Sequence, residues 1–187
     1  ESGEDDVIYC SHCDYAANIE KAESRVELSN SSESLEEIKK VYTPDKQSIE
    51  DVAAFLNLPV DKTVKGMIFK SEDKFILALI RGDYEINEVK LKNALILSEI
   101  EMATHEEIES IGFKKGFIGP VGADKVEIIA DITVKPMKNY VTGANDTDYH
   151  FVNTNHGKDY TLENFADIRT VKVGEKCSRC GEGELKI

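Results

Sequence analysis

The four cysteines of this chain fall in two pairs of identical spacing, Cys10-Ser11-His12-Cys13 and Cys177-Ser178-Arg179-Cys180. Two residues between thiols let one tight turn present both sulfurs to a single ion, and four thiolates make the tetrahedral shell that zinc favours. Two disulfides or free thiols would use the same residues. Gly181, directly after the second pair, suits a metal knuckle. Between Cys13 and Cys177 lie 163 residues, so one ion held by all four sulfurs would tie the two ends of the chain together. Such a site is closed and structural, with no open position for a substrate. His12 is expected to stand beside it as a bystander.

The other residues with chemistry to offer are dispersed. Within residues 63–83, two apolar runs (66–69 and 75–80) flank the polar turn Ser71-Glu72-Asp73, which is the pattern of a β-hairpin. Both runs are apolar on both alternations, so the hairpin belongs mid-sheet with cover on each face. Lys65 is the exception. It shares a side with Met67 and Phe69, and an ammonium there either snorkels to water or meets an anion. Residues 116–122 carry Gly116, Gly119, Pro120 and Gly122 in a tight loop, whose glycines either punctuate a turn or let backbone approach a ligand. Asp131 follows an apolar strand at 126–130 and either caps the next turn or offers a free carboxylate. Gly143 opens the turn Gly143-Ala144-Asn145. His150 then lies on a strand at 149–152, open to a packed role or a site role. His105 and His156 read as surface residues.

These residues need elements to position them. Asp14 caps an expected helix over 14–22 with Ala16, Ala17 and Ile19 as its apolar face. Residues 25–32 read as an exposed polar linker. Ser34 and Glu37 form a capping-box pattern opening a segment to Tyr42, which Thr43-Pro44 stops. Ser48 and Asp51 start a helix with the stripe Ile49, Val52, Ala53, Leu56, ended by Pro59. Asn87 opens a helix to Leu95, and Thr104 with Glu107 opens another that Gly112 closes. Short strands are expected at 7–9 and 140–142, and a last alternating strand at 167–173. Helices and strands intermix without strict βαβ alternation, which predicts an α+β fold: a mixed, largely antiparallel sheet with packed helices.

The chain has 187 residues, enough for one core with a small appendage. No apolar run is long enough to span a bilayer, so no membrane partner is expected. The chain does not begin with Met and reads as a piece of something longer. Against 36 acidic residues stand 23 basic ones, a net charge of −13. That balance argues against a protein that finds nucleic acid by its own electrostatics, because counterion release needs Lys and Arg. No basic cluster stands out in the sequence, so a nucleic-acid substrate would need another body to hold it.

In order along the chain, DYAANIEKA, KTVKGMIFK, RGDYEINEVKL, GFIGPVG, IIADITV and VTGANDTDYH resemble the insertion domain of bacterial-type prolyl-tRNA synthetases, of the YbaK-like aminoacyl-tRNA deacylase family. The resemblance covers nearly the whole chain, with synthetase-like edges at both ends. It implies an editing domain at 34–173, an N-terminal edge at 1–33 with the first cysteine pair, and a C-terminal edge at 174–187 with the second. It implies hydrolysis of alanyl-tRNA(Pro), since a proline site cannot strongly reject a smaller amino acid. The family lysine falls on Lys65, with Gly66 in place of the usual Thr or Asn and Lys62 as a neighbouring competitor. The family loop falls on Gly116 to Pro120, its aspartate on Asp131 and its histidine on His150. The implied roles are substrate binding by Lys65, an oxyanion hole from the loop amides, water oriented by Asp131 or the substrate's ribose hydroxyl, and a size limit set by His150. Gly143 joins the substrate-binding set. No cofactor is needed for editing, and the cysteine metal is a subgroup feature. The implied partners are the acceptor end of tRNA(Pro) and the rest of a homodimeric, cytoplasmic synthetase. A non-catalytic, zinc-stapled module that positions the acceptor end, and a zinc hydrolase using the cysteine site, are the rival readings.

Overall fold

The computed structural model describes residues 6–27 and 31–187. The opening of the chain and residues 28–30 of the expected linker lie outside the described residues. In chain order the strands are β1 (Val7–Cys10), β2 (Ala16–Asn18), β3 (Lys39–Tyr42), β4 (Val64–Ser71), β5 (Lys74–Arg81), β6 (Glu101–Met102), β7 (Glu127–Asp131), β8 (Tyr140–Gly143), β9 (Tyr149–Thr154), β10 (Phe165–Ala166) and β11 (Leu185–Lys186). The helices are α1 (Ile49–Phe55), α2 (Glu88–Ala94) and α3 (His105–Ser110), with short 3₁₀ turns at Val60–Lys62 and Ile132–Val134. The fold is α+β.

The predicted hairpin is the middle of the molecule. Its two strands pair in register from Val64↔Arg81 to Ser71↔Lys74. They sit inside the sheet β10-β7-β5-β4-β6, where β7 runs parallel to both β5 and β10 and the other pairings are antiparallel. Apolar residues on both alternations meet cover on both faces. Val64, Ile68, Leu77 and Leu79 pack with Ile108, Phe113 and Tyr140 on one side. Phe69, Ile76 and Ala78 pack with Leu91 and Ile168 on the other. Burying a side chain of this size contributes about 1.5–3 kcal/mol, so the hairpin anchors everything around it.

A second sheet, β3-β9-β8, is antiparallel, and a bridging pair Thr63↔Val141 ties it to the entrance of β4. The third sheet, β11-β1-β2, joins the two ends of the chain and packs a small separate core of Ile8, Ala22, Val171 and Leu185 around the cysteines. The caps fall where they were expected. The side chains of Ser48, Asn87 and Thr104 accept from the amides of Asp51, Lys90 and Glu107, and Thr104 with Glu107 completes a capping box.

Three expected elements differ. Residues 14–22 form no helix: the Cys10 amide donates to the Tyr15 carbonyl at 2.9 Å and residues 16–18 then pair with β1. A helix that short is marginal alone, and strand pairing beside the buried Ile8 prevails. Residues 34–38 form no helix. Asn139 donates to the Ser34 carbonyl and accepts from the Glu36 amide, and Lys158 donates to the Glu36 carbonyl, so these groups bond outside the segment and not along a helix. At 167–173 there is no strand, because Ile168 bonds the Asp131 carboxylate and the Asn87 amide, and Thr170 bonds the Glu85 carbonyl. Its neighbours are loops and a side chain, not a ladder.

Candidate active site and metal centre

A cavity of about 170 Å³ opens where the entrance of β4 meets the ends of β8 and β9. Lys65, Gly66, Gly116, Ile118, Gly143 and His150 line it, with Gln47, Ile49 and Val52 from the start of α1 closing one side. The fold thus brings together Lys65 from β4, Gly116 from the glycine loop, and Gly143 and His150 from the β8–β9 hairpin, where they pair. Lys62 is placed elsewhere: its Nζ pairs with Glu33 at 3.0 Å and it lines a different cavity.

Lys65 is the cation of this cavity. Its side chain is 19% exposed, and its Nζ lies 2.7 Å from Oε1 of Glu85, whose own side chain is 74% exposed. A pair with so wet a partner contributes little stability and exchanges readily. His150 is 5% exposed. Its Nδ1 lies 2.6 Å from the Thr43 hydroxyl, and its ring packs at a tilt 5.6 Å from Phe117. Burial pushes its pKa down to about 4, so the ring is neutral at pH 7.

The glycine loop is fixed by close packing onto β8. A Cβ on Gly143 would fall 2.5 Å from the Ile118 carbonyl oxygen and closer still to the Phe117 carbonyl. Gly119 lies equally close against Gly143 and Thr142. Asn145 clamps the loop from below. Its amide donates to the Phe117 carbonyl at 2.8 Å, its side-chain oxygen accepts from the Gly119 amide at 2.8 Å, and its side-chain nitrogen donates to the Gly119 and Val121 carbonyls. The Phe117 amide is also used, by the Lys114 carbonyl, and Pro120 has no N–H. Of the loop's amides, those of Gly116, Ile118, Val121 and Gly122 have no acceptor among the described residues, and of these four residues Gly116 and Ile118 line the cavity.

Gly119, Pro120 and Asp131 do not line it. Asp131 is fully buried, and its carboxylate accepts from the amides of Thr133 and Ile168 (3.0 and 2.9 Å) and from the Thr133 hydroxyl. Of the two roles open to it in the sequence, this is the cap. His156 is not a surface residue: it stacks on Tyr140 and lies edge-on to Phe165. Three residues of the site escaped the sequence reading. Thr43 and Asn145 were seen only as a helix stop and a turn, and Gln47 not at all; the side chain of Gln47 packs against Gly116. Their contacts are long-range, so no local pattern carried them.

At the other end of the molecule, the four cysteine sulfurs lie within 4.8 Å of one another, close enough to hold one metal ion. The separations Cys10–Cys180 and Cys13–Cys177 are 3.7 and 3.8 Å, far beyond a disulfide bond of about 2.0 Å. Backbone amides point at the sulfurs: those of His12 and Cys13 at Cys10, of Arg179 at Cys177, and of Gly183 at Cys180. His12 turns away to Glu182.

Residues 43–160 match the family described as Aminoacyl-tRNA editing domain. Among curated proteins, a proline–tRNA ligase of Pelobacter propionicus is 46% identical over the whole chain, and one of Fusobacterium nucleatum is 47% identical over 97% of it. The chain spans about a third of the length of these relatives. Among solved structures, a candidate trans-editing enzyme for prolyl tRNA synthetase superposes with a TM-score of 0.60 at 20% identity, covering 71% of this chain and 86% of that one. A hypothetical protein superposes with a TM-score of 0.62 at 18% identity. At such identities the superpositions speak to the fold alone, which they share. The family match extends over well more than half of the residues and contains every segment that lines the cavity, and the chain belongs to the aminoacyl-tRNA editing domain family.

Proposed function

We propose that this chain is the editing domain of a proline–tRNA ligase and that it hydrolyses alanyl-tRNA(Pro). The observation that carries the reading is the small cavity lined together by one cation, a neutral buried histidine and two loop residues, Gly116 and Ile118, whose amides have no acceptor among the described residues. Residues 34–173 form the editing unit, and the two cysteine-bearing edges join it to the ligase. The ligase supplies the grip on tRNA that a chain of net charge −13 lacks; tethering raises the local concentration of substrate to roughly millimolar. The setting is the cytoplasm, where the homodimeric ligase works.

In this reading Lys65 exchanges Glu85 for an oxygen of the terminal adenosine or its ester. The amides of Gly116 and Ile118 receive the oxyanion that forms when water adds to the ester carbonyl. Gly119 and Pro120 shape the loop, with the Gly119 amide committed to Asn145. Gly143 lets the loop approach. The cavity lining holds no Cys or Ser, the Thr63 hydroxyl donates to the Val60 carbonyl and the Thr142 hydroxyl has no base as partner, so no covalent intermediate is invoked. Water is oriented by the substrate's vicinal ribose hydroxyl, and collapse of the tetrahedral intermediate releases alanine and returns the ribose oxygen as a hydroxyl. Asp131 serves as a positioning residue, holding the end of β7 and Ile168. The neutral ring of His150, fixed by Thr43, is the wall that admits alanine and excludes proline.

The ion at the cysteines is zinc in this proposal. With a Zn–S bond of about 2.3 Å, a tetrahedron has edges of about 3.8 Å, which matches the two measured sulfur separations. Four thiolates fill the shell, so the ion's chemistry here is to hold the neck of the domain.

The test is release of alanine from alanyl-tRNA(Pro) against release of proline from prolyl-tRNA(Pro), with wild type and Lys65→Ala. Hydrolysis of the alanyl ester alone, lost in the variant, is expected. Normal turnover by Lys65→Ala would remove Lys65 from the site. No release even from the intact ligase would return the cavity to a holder of the acceptor end.

A further inference from the structure

A second cavity, of about 370 Å³, lies behind the 3₁₀ turn Val60–Lys62. Its charge runs against the rest of the molecule. Arg25, Lys62, Arg81, Lys138, Arg169 and Lys176 line it against four carboxylates, whereas the whole chain has 23 basic residues to 36 acidic. Sequence gives no hint of this cluster, because its members come from five separate segments.

Two features mark it as more than a solvated patch. Arg169 is 2% exposed, and although Glu175 takes its terminal nitrogens at 2.8 Å, its Nε is buried with no partner among the described residues. A buried donor left unpaired costs about 1–3 kcal/mol, so the hydrogen-bonding capacity of this guanidinium is not met within the described residues. The second feature is Tyr84, whose ring gathers the guanidiniums of Arg169 and Arg81 at 4.1 and 4.5 Å. Stacking holds both guanidiniums at one spot of the lining, Arg81 with Asp83 as its carboxylate partner and Arg169 with Glu175. Arg25 is exposed and has no ion-pair partner among the described residues. Lys62 has only the half-exposed Glu33.

The cavity also has a telling position. Lys62 lines it, while Thr63 and Lys65 line the editing cavity. Three residues of extended chain reach about 10 Å, the reach of a nucleotide or two. We propose that this cavity is a phosphate site for the single-stranded 3′ end of tRNA, taking a backbone phosphate upstream of the terminal adenosine while the aminoacyl ester enters the Lys65–His150 cavity. The proposal rests on the editing reading for its choice of RNA. Whole-chain repulsion and one local anchor are compatible: the body of the tRNA is held elsewhere, and this site sets the register of its last nucleotides.

The test uses this chain and Arg25→Gln/Lys62→Gln, whose altered side chains are exposed or half-exposed and support no core. A fluorescein-labelled, non-acylated single-stranded RNA ending in CCA is titrated by anisotropy from 50 to 200 mM KCl. Wild type is expected to bind, the double variant about tenfold more weakly, and the slope of log K against log salt to fall by about 0.7 for one lost phosphate contact. A second arm follows hydrolysis of 3′-O-alanyl-adenosine, which has no phosphate; both proteins should cleave it at the same rate. Equal RNA binding by the two proteins, no binding by wild type, or a tenfold loss on the phosphate-free ester would each overturn the proposal. If AMP displaces the RNA at equal concentration, the site takes a free nucleotide and the RNA assignment fails. Should wild type bind the RNA but fail to cleave 3′-O-alanyl-adenosine, the editing reading falls while the phosphate site stands.

Discussion

The buried ring of His150 makes stability depend on pH in a window that can be calculated. An unfolded histidine takes a proton near pH 6.5, while the folded one, pressed between Thr43 and Phe117, takes it only at about 4. Between these values the unfolded state binds more protons, so folding stability rises with pH there and is lost as pH falls from 6.5 towards 4. At about 1.4 kcal/mol per pH unit, the full loss is about 3 kcal/mol, a large share of the 5–15 kcal/mol typical of a domain. Above pH 6.5 the ring is neutral in both states and contributes no slope. Other groups add losses of the same sign: Glu33, hydrogen-bonded by Asn139 and Lys62, and Glu107, hydrogen-bonded by Lys70, are both held below the usual carboxylate range. Protonation of the cysteines at a metal site adds another. Comparison with His150→Gln isolates the histidine, since the variant keeps all the rest. The assay is urea unfolding followed by far-ultraviolet circular dichroism at constant ionic strength, from pH 7.5 to 4. The wild type should lose about 3 kcal/mol more than the variant, with the divergence beginning near pH 6.5. Parallel curves would refute the reasoning, because they would mean that the ring reaches solvent or finds an acceptor for its second proton.

Three other outcomes follow from the geometry. Gly143→Ala brings a Cβ to 2.5 Å from the Ile118 carbonyl oxygen, where 3.4 Å is ordinary contact, so the loop must move by roughly 1 Å; a loss of about 2–3 kcal/mol in urea midpoint stability is expected, with deacylation falling further than stability does. Asp131→Ala strands the buried amides of Thr133 and Ile168 and should cost about 2–4 kcal/mol, while Asp131→Asn, which keeps an acceptor, recovers part of that loss and a measurable turnover per folded molecule. Removing the metal with a chelator should speed hydrogen exchange in Val7–Cys10 and at Leu185 and leave the β4–β5 amides protected, since the core around the cysteines is separate from the two that cover the central sheet. Equal acceleration in both regions would show the knuckle to be part of one cooperative unit.

Local signals in the sequence were strong enough to determine the hairpin, because eight consecutive apolar-rich pairs leave few alternatives, and the helix starts at Ser48, Asn87 and Thr104, because a cap and its acceptor lie within three residues. The matched cysteine spacing announced the cluster of four sulfurs, and the order of motifs announced the family. Other features depended on partners far away in the chain. Residues 14–22 and 34–38 had helical patterns, yet strand β1 and the side chain of Asn139 claimed their backbone groups. Asp131 could have been a cap or a free carboxylate until Ile168, 37 residues on, donated its amide. The loop at 116–120 could have offered several amides until Asn145 took one of them. The basic cavity had no trace at all in a chain this acidic. Short-range chemistry is written in adjacent residues, whereas the filling of a buried group's hydrogen bonds and the sum of charges around a cavity are decided only when distant segments meet.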